Sequence, residues 1–223
     1  MAASASAWDG LASRLSSAAG RLGLPIDDVQ VDKLLKYLML LEQWNRVHSL
    51  SSWKSPSDLL VQHVFDGLTL VGPLRLYAAG TSLRILDAGS GPGFPAAVLA
   101  LMQPSWFVTA VDAVAKKIAF VTQAAAELNV RNLIGRHGRL ERLTSPEPVD
   151  VIVSRAFGSL EALTKQTRHL LAPAGVWVVQ KGRRPDDEVA KLREDLEVFH
   201  VEPVTVPDLQ AERCLVWMRR VVR

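Results

Sequence analysis

Apolar residues recur at helical spacing in two segments near the start of the chain. The first segment, residues 28–47, carries them at Val31, Leu34, Leu35, Leu38, Leu41 and Trp44. Asp27 and Asp28, after Pro25, are expected to open this helix. A second helix is predicted from Ser57 to about Gly72–Pro73, with one apolar stripe formed by Leu60, Val64, Leu68 and Val71. Together they predict an N-terminal helical cap within residues 1–75.

From Leu83 onward the pattern changes to short β-rich runs separated by helical segments. These runs are 83–87, 107–111, 132–136, 149–153 and 175–180. Such alternation predicts a parallel sheet with crossover helices. A further helix over about 186–196 precedes runs 197–206 and 213–221, which are expected to pair as antiparallel strands at the sheet's edge. We therefore predict an α/β, Rossmann-like core over residues 76–223, with a mostly parallel sheet that forms one compact unit with the cap.

Composition narrows the class of protein. The chain has 223 residues, 48% of them hydrophobic and 22% charged, which is ordinary for a globular domain. No stretch approaches the roughly 18 apolar residues of a membrane span, and residues 1–9 lack the features of a secretory signal, so we expect a frayed tail there. The single cysteine, Cys214, has no disulfide or metal-binding companion. We predict a buried thiol, no metal, no membrane association and a cytoplasmic location.

Positive charge is unevenly distributed. Residues 1–110 carry 8 Lys/Arg and 8 Asp/Glu, whereas residues 113–184 carry 12 Lys/Arg and 5 Asp/Glu. Clustered cations favour a polyanionic partner such as nucleic acid. The alternative is a solvated surface whose balancing acids come from elsewhere in the fold.

The run from Asp87 to Pro95, Asp-Ala-Gly-Ser-Gly-Pro-Gly-Phe-Pro, follows an apolar strand and is typical of a nucleotide-cofactor loop. Gly89, Gly91 and Gly93 allow positive φ and leave no Cβ between main chain and ligand. Phe94–Pro95 stand where a phosphate-binding loop needs Lys-Ser/Thr. Ser90 lacks the flanking glycines of an esterase nucleophile elbow.

The glycine spacing is G-x-G-x-G rather than the G-x-G-x-x-G of dinucleotide sites. An acidic strand end, Asp87, with a second acid closing the next strand, Asp112, favours an S-adenosylmethionine site. Asp112 could accept both ribose hydroxyls. A dinucleotide site and a structural strand-to-helix turn stay open as alternatives, and so does a turn acid at Asp112.

In a sheet of this kind the ligand lies at the carboxyl ends of the strands. After the third strand, Gly138-Arg139-Leu140-Glu141 could read an adenine edge, or Glu141 could be a helix-start acid. The fourth strand ends at Ser-Arg-Ala-Phe (154–157) and the fifth at Gln-Lys-Gly-Arg-Arg (180–184). We therefore expect cationic strand ends to converge on one rim. Phe94 and Phe157 are expected either to stack on a base or to pack in the core.

The motifs 87–95, Arg-Leu-Glu (139–141), 154–157 and Lys-Gly (181–182), with His63-x-x-Asp66 before them, resemble the glucose-inhibited division protein B family, whose members are ribosomal small subunit methyltransferases G. The resemblance covers roughly residue 34 to the C-terminus. It implies methyl transfer from S-adenosylmethionine to N7 of one guanosine in 16S-type ribosomal RNA. Two departures are Ala96, where the family usually has glycine, and His48-Ser49-Leu50-Ser51, where it has Asn-Leu-Thr.

The resemblance assigns roles to individual residues. It implies cofactor contacts at Gly89, Phe94, Leu140, Glu141 and Arg155, beside the predicted Asp87, Gly91, Gly93 and Asp112. It implies substrate contacts at Arg139 and Lys181, and we add Arg183, Arg184 and His63 as RNA contacts. His63 and Asp66 could instead form a surface pair at i,i+3. The expected partner is 16S ribosomal RNA or the small subunit, with no stable protein partner.

No catalytic base is predicted, because guanine N7 carries a free lone pair at neutral pH. The enzyme must instead align N7 with the methyl group. Two other classes stay open: a methyltransferase for a small molecule or protein, and a non-catalytic module or nicotinamide enzyme on the same fold.

Overall fold

The computed structural model of the protein describes residues 5–144, 147–155 and 157–221. The strands are β1 (Arg84–Ala88), β2 (Phe107–Asp112), β3 (Leu133–His137), β4 (Val149–Arg155), β5 (Leu171–Lys181), β6 (Leu196–Pro203) and β7 (Cys214–Arg220). The α-helices are α1 (Ala5–Trp8), α2 (Leu11–Arg21), α3 (Asp28–His48), α4 (Pro56–Leu59), α5 (Asp66–Leu68), α6 (Val71–Ala78), α7 (Ala96–Met102), α8 (Ala115–Glu127), α9 (Leu160–Thr167) and α10 (Asp186–Val189). A π-helical segment, Leu60–Phe65, joins α4 to α5, and a 3-10 turn, Leu140–Arg142, follows β3.

The strands form one sheet in the order β3-β2-β1-β4-β5-β7-β6. The first five strands along the chain pair in parallel, and β7 pairs antiparallel with both β5 and β6. The predicted fold class, including the antiparallel edge, is confirmed. The chain crosses from β3 to β4 on the other side of β1, so the carboxyl ends of β1 and β4 border the crevice where such sheets bind ligands.

Each face of the sheet has its own hydrophobic cluster. On one face, Ile85 and Val151 pack in a cluster with residues of α2, α3, α7, α8 and the π-helical segment. On the other face, Leu86 and Ile152 pack with Leu160 and Leu163 of α9. The N-terminal helices therefore share their core with the sheet.

The predicted first helix is confirmed as α3, where the Asp27 carboxylate accepts from the Gln30 N–H and the Gln30 side chain accepts from the Asp27 N–H. Three local predictions are wrong. Helical structure continues past Gly72–Pro73 in α6, only Asp186–Val189 of the predicted helix 186–196 is helical, and residues 5–8 of the predicted tail form α1. Residues 1–4 of that tail and Ala156 lie outside the described residues. Cys214 is buried, as predicted.

Among the described residues, no helix combines the length and the apolar character needed to cross a membrane.

Candidate functional site

The glycine-rich turn lies directly after β1, at the crevice between β1 and β4. Gly89, Gly91 and Gly93 have φ values of 73°, 58° and 88°, so the positive φ expected of the three glycines is confirmed. The N–H groups of Gly89 and Ser90 both donate to the Val111 carbonyl, each at 2.9 Å. A Cβ on Gly91 would meet no atom within 4 Å, so the backbone at Gly91 has open space beside it. This is the geometry in which a ligand can lie against main chain.

Asp87 lies behind this turn and is fully buried. Its Oδ2 accepts from the Ala96 N–H at 3.0 Å, at the start of α7, while its Oδ1 has no partner among the described residues. Burial raises the pKa of Asp87 to about 7, although the Ala96 N–H and the charge of Arg155 act in the opposite direction. The Asp87 carboxyl therefore anchors the turn to α7 and keeps one acceptor oxygen uncommitted.

Tyr37 of α3 supports the same turn from behind. Its hydroxyl donates to the Pro92 carbonyl at 2.9 Å, and its ring meets those of Phe94 and Phe120 edge-on, at centroid distances of 5.4 and 5.2 Å. Burial, with a smaller contribution from the charge of Asp87, raises the pKa of Tyr37, so the hydroxyl stays a neutral donor. Sequence reasoning missed this residue. The signal was its place three residues after Leu34, on the buried face of a helix, because a buried tyrosine hydroxyl needs a partner.

Asp112, at the end of β2, also holds the turn. Its Oδ2 accepts from the Gly91 N–H at 2.9 Å and its Oδ1 from the Val114 N–H at 2.8 Å. Lys117 Nζ lies 4.0 Å from Oδ2. Both carboxylate oxygens therefore sit beside the glycine-rich turn, where the sequence predicted a ribose contact.

The segment after β3 reaches the same edge of the sheet. The Gly138 N–H donates to the Asp112 carbonyl at 3.1 Å, and Leu140 is buried. Arg139 and Glu141 are exposed, with Nη1 and Oε1 3.9 Å apart. The structure thus places Gly138 against Asp112 and leaves the charged groups of Arg139 and Glu141 at the surface.

His63 and Asp66 are not the surface pair that the i,i+3 spacing allowed. His63 belongs to the π-helical segment and Asp66 begins α5, and both are buried. Each bonds to Arg155 at the end of β4: Nη2 contacts His63 Nδ1 at 2.7 Å, and Nη1 contacts Asp66 Oδ2 at 3.2 Å. Arg155 also donates to the Gln62 carbonyl. The surface-pair interpretation is therefore wrong, because the π-helical turn directs both side chains toward β4.

His63 is a neutral acceptor in this arrangement. Burial, reinforced by the positive charge of Arg155, lowers its pKa to about 3. Because the guanidinium donates to Nδ1, the ring proton belongs on Nε2. The ring stacks on Phe94 with centroids 4.8 Å apart, and Phe94 is itself buried. Phe94 is therefore packed inside the protein with one face of its ring covered by His63, and the cofactor contact at Phe94 stays a prediction.

Asp66 connects three strand ends. Besides Arg155, its carboxylate accepts from Arg213, with Nε 3.1 Å from Oδ1, and its main-chain carbonyl accepts from Gln180 Nε2 at 2.9 Å. Arg155, Gln180 and Arg213 lie at the end of β4, near the end of β5 and just before β7. We call Asp66, Arg155 and Arg213 the buried-carboxylate cluster. Arg213 was missed by sequence reasoning, since its contact spans 147 residues and no local pattern marks it.

The predicted cations after β5 are mostly paired with acids. Lys181 Nζ lies 2.8 Å from Glu188 Oε1, and Arg184 Nε lies 2.7 Å from Asp186 Oδ1. Burial opposes ionisation of Glu188, yet the hydrogen bonds from Lys181 and the Leu160 N–H outweigh it and leave the Glu188 pKa lowered. Arg183 forms no ion pair with any described residue. Of the cations expected to converge on one rim, Arg155 and Lys181 line one cavity of about 560 Å³, together with His63, Asp66, Gln180, Gly182 and Arg213, whereas Arg139, Arg183 and Arg184 do not line it.

Comparison with known proteins gives consistent results. Residues 30–216 match the model of the GidB family, described as rRNA small subunit methyltransferase G. A ribosomal RNA small subunit methyltransferase G from Leptothrix cholodnii is 48% identical over 205 residues, which cover 92% of this chain and 94% of the relative. The protein of the same name from Acidovorax sp. strain JS42 is 45% identical over 215 residues, covering 93% and 94%.

Solved structures match in fold. The glycopeptide N-methyltransferase MtfA, complexed with S-adenosylmethionine, superposes with a TM-score of 0.57 at 15% identity, covering 70% of this chain and 95% of MtfA. The N-methyltransferase NodS from Bradyrhizobium japonicum, in complex with S-adenosylhomocysteine, has a TM-score of 0.56 at 15% identity, covering 82% of this chain and 99% of NodS. At this identity the likeness concerns the fold.

Proposed function

Because the chain belongs to the rRNA small subunit methyltransferase G family, we propose that it transfers the methyl group of S-adenosylmethionine to N7 of one guanosine in small-subunit ribosomal RNA. The observation that carries this proposal is the family match over residues 30–216, which runs from α3 to β7 and includes every element around the glycine-rich turn. Small-subunit ribosomal RNA is the substrate that the relatives' names give. We propose the cytoplasm as the place of action.

The residues around the turn fit S-adenosylmethionine. Asp112 offers two carboxylate oxygens for ribose hydroxyls, and the open side of Gly91 lets the ligand approach main chain. Leu140 and Glu141 closely follow Gly138, which bonds to the Asp112 carbonyl, and are proposed adenine contacts. Arg155 and the uncommitted Oδ1 of Asp87 are proposed contacts for the amino-acid part. When bound, S-adenosylmethionine supplies an electrophilic methyl group.

The task of the protein's own residues is alignment. Guanine N7 needs no deprotonation, so the site does not require a general base. Holding the base in line with the methyl group can contribute up to about 7–11 kcal/mol to lowering the barrier in favourable systems. A cation aimed at N7 would oppose the positive charge that develops on the purine, so Arg139 and Arg155 are proposed to hold phosphate, O6 or carboxylate oxygens instead.

The exposed cations at the rim are proposed RNA contacts. Arg139, Arg183 and Arg184 are exposed, and Lys181 is part-buried against Glu188. His63 lies between Phe94 and Arg155, so we now propose that it positions Arg155 and does not contact RNA itself.

Methyl transfer to purified ribosomal particles tests this proposal. Small subunits from a strain lacking the protein, incubated with labelled S-adenosylmethionine and wild-type protein, are expected to gain label at N7 of a single guanosine. Stripped ribosomal RNA provides the parallel substrate. No label on either substrate, despite cofactor binding measured by calorimetry, would favour a small-molecule or protein substrate.

We expect Asp112→Ala to weaken S-adenosylmethionine binding by about 2–4 kcal/mol, because charged hydrogen bonds to two hydroxyls are lost. The variant also removes the acceptor of the Gly91 N–H. Calorimetric titration measures the effect, with Asp32→Ala as control, since Asp32 is an exposed acid paired with Lys36 on α3. Equal affinity in both variants would remove Asp112 from the cofactor site.

A further inference from the structure

The buried-carboxylate cluster carries a net positive charge at the edge of the proposed active site. Two guanidinium groups share the single carboxylate of Asp66, whose side chain is only 2% exposed. The side chains of Arg155 and Arg213 are 22% and 28% exposed, so both reach solvent. One positive charge in the cluster is therefore unbalanced and open to an anion.

Arg213 is fixed by two hydrogen bonds but also has N–H groups that are available to a ligand. Its Nε donates to Asp66 Oδ1 and its Nη1 to the Glu212 carbonyl at 2.9 Å. Its Nη2 has no hydrogen-bond partner within the part of the chain that the structure describes. A guanidinium fixed by a buried carboxylate loses less freedom on binding than a free surface arginine, and its planar fork suits phosphate oxygens.

The location of Arg213 separates it from the cofactor loop. Arg213 immediately precedes Cys214, which pairs with Lys181 at the carboxyl end of β5. In the sheet, β7 lies three strands from β1. At about 4.8 Å per strand, the two strands are roughly 14 Å apart. Arg155 lies on β4, next to β1. Of the two arginines, Arg213 is the one on the side away from the glycine-rich turn.

Arg213 also borders two cavities. It lines the cavity of about 560 Å³ that contains Arg155 and Lys181, and a second one of about 680 Å³ that contains Arg183 and Arg184. Gly182 lines both cavities as well. Arg213 thus shares one cavity with Arg155 and the other with Arg183, which forms no ion pair with any described residue.

We propose that Arg213, held by Asp66 at the junction of these two cavities, binds a backbone phosphate of the ribosomal RNA beside the target nucleotide. This proposal rests on the proposed function, since it names a contact of the same substrate. Asp66 is the positioning residue for this contact.

Binding of ribosomal RNA by Arg213→Ala, measured at several salt concentrations, tests the proposal. We expect about tenfold weaker binding and a slope of log K against log salt concentration that is smaller by about 0.7–0.9, the value for one phosphate contact. S-adenosylmethionine affinity is expected to change much less than RNA affinity, because the proposed cofactor contact Arg155 keeps its own bonds to His63 and Asp66. Arg213→Lys should keep the slope, since it keeps the charge.

Arg219→Ala is the matched control. Arg219 lies on the same strand, β7, but its partner is the exposed Glu197, at 2.9 Å.

Unchanged RNA affinity and slope in Arg213→Ala would overturn the proposal. Loss of cofactor affinity with normal RNA binding would also overturn it, because the anion would then be the cofactor carboxylate. If wild-type protein methylates subunits while Arg213→Ala binds RNA normally, this inference fails alone. If wild-type protein methylates neither subunits nor RNA, the proposed function fails.

Discussion

Gly93→Ala is expected to lower the free energy of unfolding by about 2–5 kcal/mol and to abolish detectable S-adenosylmethionine binding. Gly93 has φ 88°, and a left-handed conformation costs a side-chain-bearing residue about 1–2 kcal/mol. The added Cβ would also collide with the Tyr37 hydroxyl and lie 3.0 Å from Val121 Cγ2. Overpacking of this kind costs about 1–3 kcal/mol more. Denaturant unfolding and calorimetric titration measure the two effects.

Two further variants isolate the collision. Gly91→Ala is the matched control, since Gly91 has φ 58° but open space around an added Cβ, so only the backbone cost applies. Tyr37→Phe combined with Gly93→Ala removes the hydroxyl that the Cβ meets, and we expect it to recover part of the lost stability. If Gly91→Ala and Gly93→Ala are equally destabilised, the contact with Tyr37 contributes nothing.

Asp66→Ala is expected to destabilise the fold by about 3–5 kcal/mol and to abolish methyl transfer. Removing one partner of a buried ion pair leaves the remaining charge unpaired, and here Arg155 and Arg213 both lose their carboxylate. Asp66→Asn, which keeps an acceptor oxygen, should lose less stability. Urea unfolding gives the stability, and methyl transfer to small subunits gives the activity.

The chain contains a matched control for Asp66. Asp195 also accepts from two arginines, Arg168 at 2.9 Å and Arg193 at 3.0 Å, but its side chain is 37% exposed. Solvent screens ion pairs between exposed side chains, so the Asp195→Ala variant should unfold nearly as the wild type does. Comparable losses of stability in Asp66→Ala and Asp195→Ala would show that burial of the carboxylate does not determine the size of the loss.

Local sequence patterns were sufficient to predict the fold. Buried parallel strands appear as short apolar runs, and β1, β2 and β3 lie within about one residue of their predicted bounds. A helix was predicted over 186–196 because Val189, Leu192 and Leu196 have helical spacing. The prediction is wrong because Leu196 already begins β6. Val189, Leu192 and Leu196 pack against the sheet's hydrophobic cluster, but only six residues separate α10 from β6.

Residues of the site could be predicted from the sequence only where local spacing marks them. The glycines and Asp112 could be found because a strand, a turn and the next strand's end occupy fixed offsets in this fold. Periodicity shows that Asp66 and Tyr37 lie on helices, but not what they meet across the fold. The ion pair between Asp66 and Arg213 forms only when β7 inserts beside β5, so its prediction requires the tertiary arrangement.

The contact between Tyr37 and the glycine-rich turn has a consequence for how the sequence can diverge. The hydroxyl of Tyr37 fills the space that a side chain at residue 93 would need, although its hydrogen-bond partner Pro92 lies 55 residues further along the chain. A larger residue at position 93 is therefore tolerable only together with a smaller one at position 37. The glycine-rich turn thus depends on a side chain of α3, so a methyltransferase core built without α3 would lose the support of that turn.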